Sequence, residues 1–134
     1  MACEQVPDCN LEKTNSILKV RLYDKDLLTE EKVKYDSIKA INSDSLFFTS
    51  NDSLSLYSLD LNSTQNITTF LFYSESQTDS LVISYDNVYS IPFEECDPII
   101  DISSIAISKS TFDSTALIFD FLNLNISENI EIYQ

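Results

Sequence analysis

Apolar and polar residues alternate along most of this chain with a period of two, the spacing of strands that bury one face. The first clear case is 17–23, where Leu18, Val20 and Leu22 alternate with Lys19, Arg21 and Tyr23. The pattern returns at 32–35 and, with a change of phase, at 38–41; such a phase change is what a bulge produces. Short apolar runs follow at 46–49 and 54–61. The strongest strand is 67–74, with Ile67, Thr69, Leu71 and Tyr73 on one face and Thr68, Phe70, Phe72 and Ser74 on the other. β-Branched and aromatic residues fill it, as a pleated, part-buried surface prefers. Further strands are predicted at 80–86, 88–91, 99–107, 116–124 and 130–133. In the 116–124 strand Leu117, Phe119 and Phe121 align on one side.

Between these runs lie turn residues, among them 24–26, 42–45, 50–53, 63–66, 75–79, 108–114 and 125–129. Short strands at roughly ten-residue spacing predict an all-β fold, an antiparallel β-sandwich of immunoglobulin-like architecture with about seven to nine strands. Residues 1–16 show no period and are predicted to be an N-terminal tether and extended arm. Residues 17–134 then form a single β-sandwich domain. No run approaches the roughly 18 to 20 apolar residues of a membrane-spanning helix. Met1-Ala2 is too short to be a signal peptide, so any such segment is expected to have been removed.

Composition narrows the chemistry. The 134-residue chain has no histidine and no glycine. Without glycine there is no phosphate-cradling loop and no GxSxG nucleophile elbow. Without histidine there is no Ser-His-Asp or Cys-His pair and no HExxH site. Abundant Asn, Ile, Ser and Leu suggest an AT-rich genome as the source of the glycine deficit. Positions with φ > 0 are then expected to fall mainly to Asn and Asp. The formal net charge is −14. Seven of the eight basic residues lie in the first 39, and Lys109 alone offsets fourteen acids from residue 40 onward. Such a surface repels phosphate backbones, so no nucleic-acid partner is expected.

The three cysteines are Cys3, Cys9 and Cys96. Cys9 and Cys96 both sit in predicted loops beside acids and near prolines. A disulfide between them would close an 88-residue loop, tie the arm to the sheet and contribute about 4 kcal/mol in the chain-entropy model. It would also imply an oxidising compartment; free thiols in a cytosolic protein are the alternative. No C-x₂-C pair is present, which argues against zinc. Cys3 is the spare, and thioether lipidation would remove an exposed thiol. Ala2 is the small residue such processing needs before the cysteine.

With Cys3, Cys9, the strand 17–24, Glu95-Cys96 and the closing strand 129–133, the chain resembles small lipoproteins of Bacteroidota. These begin with a lipidated cysteine and continue into an all-β domain. The resemblance implies a location and an architecture, with no assigned reaction. It points to an outer-membrane-anchored protein of the cell envelope, facing the periplasm or the cell surface and held to the membrane through a lipid at Cys3.

Asp24, Asp26, Glu30 and Glu31 are oxygen-rich, as are Glu94, Glu95, Asp97 and Asp101, but an EF-hand loop needs its glycine. Solvated loops are the simpler reading, and no metal or cofactor is expected. Paired carboxylates for glycoside hydrolysis have nothing to place them across a cleft. Tyr23, Tyr35, Tyr57, Tyr73, Tyr85, Tyr89 and Tyr133 suit sheet packing or a binding platform. Asn51, Asn62, Asn66 and Asn125 each begin an Asn-x-Ser/Thr triplet, which an Asn- and Ser-rich chain produces readily. The expected role is a non-enzymatic structural or interaction module. The alternative is a glycan- or partner-binding module of a nutrient-uptake system, for which an exposed patch of tyrosines on one sheet face would be the mark.

Overall fold

The computed structural model describes residues 15–33, 35–41, 46–48, 54–75, 77–91, 99–123 and 125–134. These residues form nine strands and no helix: β1 (Ile17–Tyr23), β2 (Ser37–Ala40), β3 (Leu46–Phe48), β4 (Leu56–Asp60), β5 (Ile67–Tyr73), β6 (Thr78–Ser90), β7 (Ile99–Ser110), β8 (Ser114–Leu117) and β9 (Ile130–Tyr133). One sheet has the order β4-β1-β9-β8, the other β3-β2-β5-β6-β7. The all-β sandwich expected from the alternation is what forms.

The period of two sets the core. In β1, Leu18, Val20 and Leu22 are fully buried, and Lys19, Arg21 and Tyr23 face outward. In β5 the buried set is Thr68, Phe70 and Phe72. Leu59, Ile130 and Ile132 from the first sheet join Ile38, Leu81, Ile83 and Ile105 from the second in one apolar cluster. The Tyr35 ring lies between the sheets, 5.8 Å from that of Tyr57 on β4 and 5.3 Å from that of Phe72 on β5. Each buried side chain of this size contributes about 1.5–3 kcal/mol.

The sandwich is not wholly antiparallel. β1 pairs antiparallel with β4 but parallel with β9, Val20 opposite Ile130 and Tyr23 opposite Tyr133. A parallel pair needs a long crossover, which the intervening chain supplies. In the seven-strand immunoglobulin arrangement the first and last strands lie in opposite sheets. Here they are neighbours, so this strand order does not carry the immunoglobulin-like part of the expectation.

Three local expectations change. The predicted strands 80–86 and 88–91 are one strand, β6, with Tyr85 opposite both Ser104 and Ile105 at a bulge in β7. β7 runs through Ser110, into the predicted turn. The predicted strand 116–124 keeps only its start, as β8. Beyond it the chain wraps around Asn129. The Asn129 carbonyl accepts from Ile118 N–H at 2.7 Å and Phe119 N–H at 3.3 Å. Its amide nitrogen donates to the carbonyls of Phe119 and Phe121. The Asp120 carbonyl turns away to accept from Ile105 N–H on β7 at 2.9 Å.

Among the described residues, the positions with φ > 0 are Leu28 (56°) and Ser104 (52°), and neither is Asn or Asp. Leu28 closes a turn in which its N–H donates to the Asp24 carbonyl at 2.8 Å and the Asp24 carboxylate caps Asp26 and Leu27. Ser104 is the first residue of the β7 bulge, a place that commonly demands a left-handed residue. Register and turn closure, rather than residue preference, decide both.

Asn129 is 1% exposed. Its side-chain oxygen accepts from Lys19 N–H at 3.0 Å, and its own N–H donates to the Lys19 carbonyl at 2.8 Å. Asn129→Ala strands a buried donor on β1 and two carbonyls, at about 1–3 kcal/mol for each group left unpaired. Urea unfolding should show a loss of about 3 kcal/mol or more, against about 0.5 kcal/mol or less for exposed Asn125→Ala.

Candidate functional site

The outward faces of β1 and β9 bring two of the seven tyrosines together. Tyr23 and Tyr133 are paired across the parallel ladder, and their rings stack at 5.3 Å with 23° between planes. The same period of two that buries Leu22 and Ile132 turns these residues outward.

Carboxylates flank the stack. The Tyr23 hydroxyl donates to Glu128 Oε2 at 3.1 Å. Arg21 Nε lies 2.8 Å from that oxygen, and Arg21 also pairs with Glu30. The Tyr133 hydroxyl donates to Glu131 on its own strand. The patch thus has two half-buried rings, one guanidinium and three carboxylates.

Burial pushes the Tyr23 phenol up to about 12, helped by its hydrogen bond to Glu128 and the charges of Glu128 and Glu131. Tyr133 is also raised, first by its bond to Glu131. Burial pulls the Arg21 guanidinium down, but the hydrogen bond and charge of Glu30, with Glu128 behind them, more than offset it. All three stay in their neutral-pH forms. Neither phenol nor the guanidinium is poised to trade protons near pH 7. The patch can stack against a flat apolar face and accept hydrogen bonds; it offers no activated nucleophile.

The other tyrosines sort differently. Tyr35, Tyr57 and Tyr85 are core residues at 2%, 2% and 3% exposure. Tyr57 donates to the Val33 carbonyl and Tyr85 to the Asn62 carbonyl, both at 2.6 Å. The Tyr35 hydroxyl accepts from the Gln134 side chain at 3.1 Å. Tyr73 lies under Lys39, whose Nζ is 5.5 Å from the ring centre. Tyr89 stands exposed near the end of β6.

Cys3, Cys9 and Cys96 lie outside the described residues, and so do Glu94, Glu95, Asp97 and the Asn51 triplet. Asp101 is exposed on β7. Asp24 is occupied by its turn and Glu30 by Arg21, so the first acidic cluster does not converge. Among the described residues, no group of three or more His, Cys, Asp or Glu is placed to hold a metal ion. Two residues that sequence reasoning passed over matter here. Glu128 and Asn129 sit in what reads as plain turn chemistry, yet one organises the patch and the other ties β1 to β9.

No protein-family model matches this chain, and no curated protein or solved structure does so either.

The raised phenols make stability fall at high pH. Unfolded tyrosine ionises near 10, whereas Tyr23 and Tyr35, both mainly through burial, hold their protons to about 12. Above the unfolded value the unfolded chain binds fewer protons than the folded one, so stability declines as pH rises through that window. Chemical unfolding at about pH 9 and about pH 11 should show this decline, and Tyr23→Phe with Tyr35→Phe should flatten it.

Proposed function

We propose that this protein is a non-enzymatic lipoprotein of the cell envelope, anchored in the outer membrane through Cys3 and facing the periplasm or the cell surface, where its β-sandwich is a structural or interaction module. The resemblance to small Bacteroidota lipoproteins belongs to this proposal, as does the division into a 1–16 arm and a 17–134 domain.

The observation that carries it is where the chain enters the sandwich. Ser16 sits at one pole, its carbonyl accepting from Leu61 N–H at 2.8 Å and its hydroxyl bonded to Asp60 at 3.0 Å. The adjoining 62–66 turn rests on β6. Tyr85 binds the Asn62 carbonyl, and the Asn87 side chain donates to the carbonyls of Ser63 and Gln65. The far ends of β6 and β7 project from this same pole. Ile99 is three residues after Cys96, and Asn15 is six residues after Cys9. An arm of a few extended residues, at about 3.4 Å each, can span such a pole. A Cys9–Cys96 disulfide would fix that arm beside the point where Cys3 leads to lipid.

A second reading, a glycan- or partner-binding module of a nutrient-uptake system, is favoured by the Tyr23–Tyr133 stack. Aromatic faces flanked by hydrogen-bond acceptors suit the apolar faces and hydroxyls of sugars.

Mass spectrometry of the protein from its host should find acyl groups on Cys3; an unmodified cysteine there refutes the anchor. Protein made without acylation and unfolded without reductant should titrate as a single free thiol, and three would refute the staple. For the second reading, neutral oligosaccharides added to the labelled protein should shift the amide resonances of Glu128 and Tyr133. Tyr133→Ala should weaken that binding about tenfold, the equivalent of about 1.4 kcal/mol; unmoved resonances across a broad panel would exclude it.

A further inference from the structure

Tyr23 and Tyr133 end the first and last strands, and their backbones are tied there: the Gln134 N–H donates to the Tyr23 carbonyl at 3.1 Å. Side chains paired across a parallel ladder leave the backbone side by side and in the same sense. The two rings accordingly lie face to face, 5.3 Å between centres and 23° from parallel. Both are half-buried, so the stack is reachable from solvent.

Each hydroxyl of the stack donates to a carboxylate, Tyr23 to Glu128 and Tyr133 to Glu131. A phenol keeps its proton at neutral pH, but removing one electron turns it into a strong acid. A carboxylate at the end of its hydrogen bond takes that proton as the electron leaves. Nearby negative charge also lowers the cost of losing an electron, and the Arg21 guanidinium is offset by Glu30 and Glu128. Both rings are thus set up to become neutral phenoxyl radicals beside one another. No tryptophan is present to take up the oxidising equivalent instead.

The other tyrosines lack one or more of these conditions. Tyr35 and Tyr57 also touch, but their rings meet edge to face at 67° inside the core. Tyr57 donates to the Val33 carbonyl and Tyr35 meets the Gln134 side chain, neither of which is a base at neutral pH. Tyr85 is buried. Lys39 sets a cation over the Tyr73 ring, and that charge opposes electron loss. Tyr89 is exposed, but it lies on β6 in the other sheet.

We propose that Tyr23 and Tyr133 form an oxidative crosslinking site, at which a haem peroxidase with hydrogen peroxide, or an equivalent one-electron oxidant, joins the first strand to the last as dityrosine. Each phenol gives one electron to the oxidant and one proton to its carboxylate. The two radicals pair through ring carbons ortho to the oxygens, forming one C–C bond, and each ring then moves a hydrogen from that carbon to its oxygen. The two electrons and two protons given up reduce one peroxide to two waters. The product is a covalent clamp across the β1–β9 ladder. It closes a loop over nearly the whole domain, which restricts the unfolded chain as a disulfide does. Neither the lipid anchor nor a glycan ligand is needed for it.

The full chain, folded and with its thiols alkylated beforehand, is treated at low concentration with a haem peroxidase and hydrogen peroxide. Blue dityrosine emission should appear in the monomer. Mass spectrometry after digestion should find the peptides carrying Tyr23 and Tyr133 linked, two hydrogens lighter than their sum. Tyr23→Phe and Tyr133→Phe keep the ring, so circular dichroism should be unchanged, yet each should remove that linked pair. Tyr89→Phe should leave it. Glu128→Gln still accepts the hydrogen bond but not the proton, and should slow the linkage at least about tenfold. The oxidised protein should unfold at higher urea than the untreated one, and oxidised Tyr133→Phe should show no such rise. Dityrosine found only between chains, only at other tyrosines, or equally in Tyr133→Phe overturns the site. An undiminished rate in Glu128→Gln overturns the part given to the carboxylate.

Discussion

A single buried amide holds the four-stranded sheet in register. Asn129 presents its backbone and side chain to Lys19 on β1 and its carbonyl and amide nitrogen to residues 118–121. It thereby fixes the start of β9 against the middle of β1 and turns the chain from β8 back towards it. Burying so many polar groups is tolerable only because each finds a partner. With β9 fixed, Ile130 and Ile132 reach the core, and Glu131 and Tyr133 reach the outer face beside Arg21 and Tyr23. The core and the aromatic patch thus depend on the same register.

Alternation made most strands legible. Leu18, Val20 and Leu22, or Phe70 and Phe72, declare their faces without reference to anything distant. The parallel pairing of β1 with β9 is not written locally, because nothing in 17–23 distinguishes a parallel from an antiparallel neighbour. The 118–123 segment looks like a strand since Leu117, Phe119 and Phe121 alternate, and the competing hydrogen bonds come from Asn129, several residues later. Ser104 takes a left-handed backbone because the β6–β7 register requires an extra residue there, a demand of the partner strand rather than of serine.

The patch was legible in part. The tyrosines stand out in the sequence, but composition cannot say which are core. Tyr35, Tyr57 and Tyr85 are buried with their hydroxyls satisfied, and the stack forms only because β1 and β9 are neighbours. Glu128 gains its role from lying across from Tyr23 and Arg21, more than a hundred positions away in the chain.

Pairing the first strand with the last has a consequence for the order in which this protein comes into being. β1 emerges early, yet one of its two edges stays open until β9 has been made. Contacts this distant in sequence form slowly, since the loop they close is long. The β1–β4 pair and the β5–β6–β7 meander can form as soon as their strands exist, whereas the β1–β9 and β8–β9 pairs must wait. A half-finished chain therefore remains unlocked along β1. Once β9 docks, the early strand is enclosed between β4 and β9, and the four-stranded sheet closes in a single late event.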